Sequence, residues 1–85
     1  MNLFEARRLT ITLLHRHGLD AWRVEFSRAK TRAGACRHER RAIVLSAPLV
    51  TVMSEAEVVE TVLHEVAHAL VGPDHAHDEV WRRTA

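Results

Sequence analysis

The feature that most constrains this chain is a helical pattern over residues 54–71 that carries the motif His64-Glu65-Val66-Ala67-His68. Histidines four residues apart lie on the same face of a helix, where their imidazoles can bind a single zinc ion. A glutamate that follows the first histidine lies beside that ion and can act as a general base. The motif therefore predicts metal ligands at His64 and His68 and a catalytic base at Glu65.

The ends and faces of this helix are predicted from the same stretch. Ser54 and Glu57 have the spacing of a capping box, and Gly72-Pro73 is typical of a helix end. At about 100° per residue, one apolar stripe predicts the buried face, and it comprises Val59, Val62, Leu63, Val66 and Leu70. The two motif histidines lie near the opposite side. The sequence thus predicts a metal-binding face that points away from the core.

The 85 residues are enough for one domain, which we assign to residues 1–85, but they are near the lower size limit for an unaided hydrophobic core. A bound metal that stabilises the fold is therefore plausible. Cys36 is the only cysteine, which excludes an internal disulfide and a cysteine-based zinc site, and we expect it to be a small core residue. Without an apolar membrane span or a signal-peptide core, a cytoplasmic monomer is the default expectation.

Charge is distributed unevenly along the chain, although the net charge is only +1. Residues 1–46 contain ten lysines and arginines against four acids, whereas residues 47–85 contain two against seven. A basic half can favour a polyanion such as nucleic acid, and the alternative is a solvated, exposed sheet face. The basic residues that would contact nucleic acid are Arg28, Lys30, Arg32, Arg37, Arg40 and Arg41.

Upstream of the motif, the pattern predicts one helix and three strands. Apolar residues recur at helical spacing over residues 2–17, and Gly18 is suited to the C-terminal cap. Residues 22–27 alternate between apolar and polar, residues 35–39 can form a second strand, and the apolar run 42–45 indicates a third, more buried strand. Because the links are short, we expect neighbouring strands to pair antiparallel.

A zinc centre needs a third protein ligand, with water in the fourth position. The candidates downstream of the motif are Asp74, His75, His77 and Glu79. The metzincin pattern HExxHxxGxxH does not fit, because Val71 and Asp74 stand where its glycine and third histidine would be. A ligating glutamate from a long following helix is disfavoured, since only 17 residues follow His68. Spacing alone leaves His75 and His77 open.

The stretches H-E-V-A-H-A-L-V-G and A-H-D-E-V-W resemble the SprT-like zinc metallopeptidases, the family that includes the DNA–protein crosslink protease Spartan. In that family a third histidine follows the motif, with an aromatic residue four positions later, and His77 with Trp81 fits this spacing. The resemblance, which spans roughly residues 20–81, therefore implies His77 as the third ligand. It also implies an α+β, zincin-like fold: an N-terminal helix, a small three-stranded sheet and the central HExxH helix. With the strand pairing expected from the short links, this sheet is antiparallel, and Asp78 as an N-cap predicts a short C-terminal helix from Glu79.

The same resemblance implies a zinc-dependent (Zn2+) endopeptidase for protein substrates, with Glu65 as the base toward zinc-activated water and DNA-associated proteins as one substrate class. Because the chain has no tyrosine, stabilisation of the oxyanion would fall to backbone N–H groups or to histidine and arginine side chains, among which His38, His75 and Arg82 are candidates. Two alternatives stay open. One is a non-catalytic, zinc-stabilised module whose basic sheet binds nucleic acid. The other is a zinc endoribonuclease, because Gly72-Pro73-Asp74-His75 faintly resembles the G-x-D-H motif of the bacterial rRNA-maturation endoribonucleases. In this chain, however, the spacing from His68 to His75 is one residue too long.

Overall fold

The computed structural model describes residues 1–72, which form three α-helices, one 3-10 turn and a three-stranded sheet. The helices are α1 (Leu3–Arg16), α2 (Ala47–Val52) and α3 (Glu55–Val71), and the strands are β1 (Arg23–Ser27), β2 (Gly34–Arg37) and β3 (Ala42–Ser46). The α+β class is therefore confirmed. The predicted C-terminal helix from Glu79 lies outside the described residues, as do Asp74, His75, His77, Trp81 and Arg82.

Both long helices begin where the sequence predicts, and capping hydrogen bonds form at each start. At α1, the Asn2 side chain accepts a hydrogen bond from the Glu5 main-chain N–H at 2.8 Å. At α3 the capping box is complete: the Ser54 hydroxyl accepts from the Glu57 N–H at 3.2 Å, and the Glu57 carboxylate accepts from the Ser54 N–H at 2.9 Å. Gly72 ends α3 with a φ of 85°, a region that glycine enters without strain.

The sheet is mixed, which corrects the prediction of an antiparallel sheet. β3 lies in the centre, antiparallel to β2 and parallel to β1. The short link between β2 and β3 does produce antiparallel pairing, but β1 and β2 are not neighbours. β3 is the most apolar strand, and four of its five residues are buried. It therefore takes the position with a partner on each edge, while the more polar β1 and β2 form the edges.

The core lies between the sheet and the helices. Its buried members are Ala6, Leu13 and Leu14 from α1, Val24, Ile43 and Leu45 from the sheet, Val50 from α2, and Val58, Val62 and Val66 from α3. Thr10 is also buried, but its hydroxyl donates to the Ala6 carbonyl at 2.7 Å and so keeps a partner. None of the helices formed by residues 1–72 is long and apolar enough to cross a membrane.

Cys36 in β2 packs against this core and is half-buried. Burial, together with the charges of Glu65 and Glu39, raises the pKa of its thiol to about 11. The side chain is therefore a protonated thiol at neutral pH. Because only the thiolate is a good nucleophile or metal ligand, Cys36 is poorly suited to either role. This agrees with the expectation that Cys36 serves packing.

The buried face of α3 is rotated relative to the predicted stripe. Val62 is buried as predicted, but Leu63 and Leu70 are 37% and 42% exposed. Val58 and Glu65, which lie outside the predicted stripe, are buried instead. The prediction failed because α3 is apolar around much of its circumference, so periodicity alone defines its inner face poorly. Packing against both α1 and β2 decides which side of the helix turns inward.

Candidate metal centre and active-site cleft

His64, Glu65 and His68 lie together in the second half of α3, as the motif predicts. The ring centroids of the two histidines are 4.9 Å apart, and potential ligand atoms of all three side chains lie within 4.8 Å of one another. The histidines are partly exposed, whereas Glu65 is only 5% exposed. The cluster therefore stands at the boundary between solvent and core.

The chemistry of this cluster fits a zinc ion. Two imidazoles one helical turn apart are a common pair of zinc ligands. In addition, Glu65 Oε1 is buried and has no hydrogen-bond partner in the described part of the chain. Since buried polar atoms are nearly always hydrogen-bonded, this oxygen requires a partner that residues 1–72 do not supply.

Burial raises the pKa of the Glu65 carboxyl, and the positive charge of Arg32 lowers it in part. Desolvation disfavours the ionised carboxylate, whereas a nearby guanidinium favours it. A carboxyl whose pKa moves toward neutrality accepts a proton more readily and releases it again at the same pH. These are the properties expected of a general base.

A cleft of about 530 Å³ opens beside the cluster, between the start of β2 and the middle of α3. One wall is formed by residues 31–34, and the other comprises Glu60, Thr61, His64 and Glu65. Because β2 is an edge strand of the described sheet, it leaves main-chain groups available for an extended peptide. The cleft thus joins His64, the buried carboxylate of Glu65 and the start of an edge strand.

Gly34, at the start of β2, is a site residue that the sequence analysis missed. A Cβ atom on Gly34 would lie 2.9 Å from Thr61 Cγ2 and 3.3 Å from Glu65 Cγ. The sequence places this glycine only in a turn between strands. A glycine inside a strand can mark a close approach of another element, but the sequence does not say which element approaches.

His38 has a different role from the oxyanion stabilisation that the sequence analysis considers. Its Nε2 donates a hydrogen bond to the main-chain carbonyl of His68 at 3.0 Å. The ring also meets Trp22 edge-on, with 5.7 Å between centroids, and lies 3.8 Å from the Cys36 sulfur. Because this N–H bonds to a carbonyl of α3, His38 holds the helix and is not directed at a substrate.

The six predicted DNA-contacting residues form two groups and not one patch. Arg28, Lys30 and Arg32 belong to the loop between β1 and β2, and Arg37, Arg40 and Arg41 lie at the end of β2 and in the turn that follows. Since β2 runs against both other strands, the groups lie at opposite ends of the sheet. Arg40 is paired with Glu25 at 2.9 Å, whereas the Arg32 side chain lines the cleft.

Comparison with known proteins identifies a family and a structural relative. The model of the SprT-like family matches residues 4–85. The crystal structure of the metallopeptidase zymogen of Pyrococcus abyssi abylysin is similar, with a TM-score of 0.76 and 20% identity, over 93% of this chain and 74% of that chain. At this identity the likeness shows the fold, which is zincin-like. No curated protein sequence matches the chain.

Proposed function

Because the chain belongs to the SprT-like family, we propose that it is a zinc-dependent endopeptidase that hydrolyses peptide bonds of protein substrates. The observation that carries this proposal is the cluster of His64, Glu65 and His68, of which His64 and Glu65 line the cleft. The family and the metallopeptidase fold support the general class of activity. The burial of Glu65 supports its proposed role as a general base.

The residues proposed to hold zinc are His64, His68 and His77. The first two are brought together by α3. His77 lies outside the described residues, and the family resemblance supports it over His75. When bound, zinc supplies a Lewis acid that polarises the scissile carbonyl and lowers the pKa of water.

In this proposal Glu65 takes a proton from the attacking water and passes it to the leaving amine. Glu65 lines the cleft, and the fold formed by residues 1–72 leaves the hydrogen-bonding capacity of its buried Oε1 unused. The raised pKa of Glu65 strengthens it as a proton acceptor, and Arg32 favours the ionised form that must be present before the reaction.

The substrate is proposed to bind as an extended peptide along β2. Strand addition satisfies main-chain groups at the sheet edge and brings a peptide carbonyl toward His64 and Glu65 across the cleft. DNA contact is proposed through Arg28, Lys30 and Arg32, because this loop continues directly into the cleft wall. A polyanion held there would lie beside a bound protein, which is compatible with DNA-associated substrates.

Replacement of Glu65 by Gln tests this mechanism. The variant should bind zinc and fold, but cleavage of an unfolded protein such as casein should fall at least about 100-fold, the usual effect of losing a general base. Glu55→Gln, an exposed change in the first turn of the same helix, is the matched control. Cleavage by Glu65→Gln at the wild-type rate would exclude the proposed mechanism.

Zinc stoichiometry and product analysis distinguish the alternatives. One zinc ion per chain with no hydrolysis of protein, in the presence or absence of DNA, would favour a zinc-stabilised nucleic-acid-binding module. Zinc-dependent hydrolysis of RNA would favour an endoribonuclease. Stimulation of protein cleavage by DNA, reduced when Arg28 and Lys30 are both changed to Glu, would support the DNA contact.

A further inference from the structure

We propose that Gly34 is a positioning residue for Glu65: the main chain of β2 packs directly on the glutamate side chain and sets the direction of its carboxylate. This inference rests on the proposed role of Glu65 as the general base. It concerns a glycine that offers no functional group of its own. Its contribution is the space that its missing side chain leaves.

The contact between the two residues is tight. A Cβ on Gly34 would lie 3.3 Å from Glu65 Cγ and 3.5 Å from Glu65 Oε2, besides 2.9 Å from Thr61 Cγ2. Carbon atoms normally approach no closer than about 3.5–4.0 Å at their energy minimum. Any side chain at position 34 would therefore displace Glu65, Thr61 or the strand itself.

Backbone conformation does not explain why this position is glycine. Gly34 begins β2 and pairs with Leu45 in β3, and its φ is not positive, in contrast to Gly18 and Gly72. Every amino acid can adopt such a strand conformation. The requirement for glycine thus comes from the close approach of α3, and an alanine tests that approach without adding backbone strain.

Packing is the main restraint on the Glu65 carboxylate in residues 1–72. Catalytic side chains are commonly oriented by hydrogen bonds from neighbouring groups. No described residue donates such a bond to Glu65 Oε1, however, while Cγ and Oε2 lie against Gly34. The Arg32 Nε donates to the Gly34 carbonyl at 2.9 Å, which holds the strand in place against the glutamate. The start of β2 thus forms a surface against which the Glu65 side chain packs.

The first experiment adds a methyl group to this surface of β2. Gly34→Ala is made in a Thr61→Ser background, because serine lacks the Cγ2 atom at 2.9 Å and leaves Glu65 as the remaining close contact. Compared with Thr61→Ser alone, kcat should fall at least about tenfold, since small displacements of a reacting group are costly. KM should change by less than about twofold, and zinc affinity measured by chelator competition should not change.

An unchanged kcat would overturn the proposal, and so would a loss that appears in KM alone, because that would indicate obstruction of substrate binding. A merely structural role for Gly34 would lower stability without this separation of kcat from KM. These outcomes require that the Thr61→Ser protein cleaves its substrate.

A second experiment does not depend on activity. The unfolding equilibrium constant of the zinc-free Thr61→Ser protein is measured with and without Gly34→Ala, and again in a Glu65→Ala background. Gly34→Ala should raise this constant about tenfold when Glu65 is present and less than about threefold when its side chain is truncated. Failure to fold only when Glu65 is present would be the extreme form of the same coupling.

Equal effects in the two backgrounds would show that Gly34 does not act on Glu65 and would overturn the proposal. If no variant and no wild-type protein cleaves a substrate, the proposed function fails, and the stability cycle still decides whether the contact exists. The two failures are therefore distinguishable.

Discussion

The proposed role of Glu65 places two opposing demands on its side chain, because a general base must be ionised and a buried carboxyl is more stable when neutral. The side chain is 5% exposed, and Oε1 has no hydrogen-bond partner in the described part of the chain. Leaving a buried acceptor unpaired usually costs about 1–3 kcal/mol. The arrangement resembles the general trade-off in which active sites sacrifice stability for reactivity. It has a measurable consequence in the zinc-free protein.

We predict that Glu65→Gln makes the zinc-free protein more stable at neutral pH, by about 1 kcal/mol, because the neutral amide avoids the desolvation cost of the ionised carboxylate. Burial raises the pKa of Glu65 in the folded state, so the folded state binds more protons than the unfolded chain between the two pKa values. The free energy of unfolding should therefore fall as the pH rises through that interval, and Gln should remove this dependence.

Urea denaturation at several pH values, in the presence of a chelator, measures this effect. The exposed change Glu55→Gln should leave the pH dependence as it is in the wild type. Parallel stability curves for the wild type and Glu65→Gln would contradict the prediction. They would show that the carboxyl titrates equally in the folded and unfolded states.

Among the elements, those specified by local chemistry could be predicted from the sequence. The caps at Asn2 and Ser54 depend on side chains within three residues, and Gly18 has the positive φ expected after α1. The mixed sheet could not be predicted in this way, because the strand order depends on which of the three strands takes the central position. The same limit applies to α3, where a partner distant in the sequence buries Glu65 and leaves Leu63 exposed.

The capping box of α3 should contribute measurably to stability. Ser54→Ala removes the hydroxyl that accepts from the Glu57 N–H, and we expect the free energy of unfolding to fall by about 1 kcal/mol. Thr12→Ala is the matched control: its hydroxyl bonds to the Arg8 carbonyl within α1 and caps no helix end. Chemical denaturation of both variants tests this prediction, and an equal loss of stability for both would contradict it.

His38 should stabilise the C-terminal part of α3 through its bond to the His68 carbonyl. We expect His38→Ala to lower the free energy of unfolding by about 1 kcal/mol and to speed hydrogen exchange of the amides of residues 68–72. His38→Gln retains an N–H donor and should restore part of the protection. His17→Ala, an exposed change after α1, is the control. Unchanged protection of these amides in His38→Ala would show that the hydrogen bond from His38 does not stabilise the end of α3.

At the scale of the whole molecule, the site combines local and distant information. The spacing of His64, Glu65 and His68 specifies their common location, because one helix carries all three. Gly34 and Arg32 reach the same cleft from about thirty positions earlier in the chain, and only the packing of β2 on α3 brings them there. Helical periodicity therefore predicts that the proposed ligands and base lie together, whereas the opposite wall of the cleft, formed by residues 31–34, depends on tertiary structure.

Zinc binding should stabilise the entire fold, since a ligand that binds only the folded state raises its stability by mass action. At a free zinc concentration about 1,000 times the dissociation constant, the free energy of unfolding should rise by about 4 kcal/mol. For a chain of 85 residues, whose core is small, this would be a large share of the total stability. Thermal unfolding with zinc and with a chelator measures the difference.

The same measurement decides which residue supplies the third ligand. If His77 completes the site with His64 and His68, His77→Ala should abolish most of the stabilisation by zinc, whereas His75→Ala should retain it. The two substitutions are matched, because each removes one imidazole from the same short stretch of chain. Full stabilisation of His77→Ala by zinc, with its loss in His75→Ala, would transfer the third-ligand role to His75. Retention in both variants would direct the search to Asp74, because a carboxylate can also complete a zinc site.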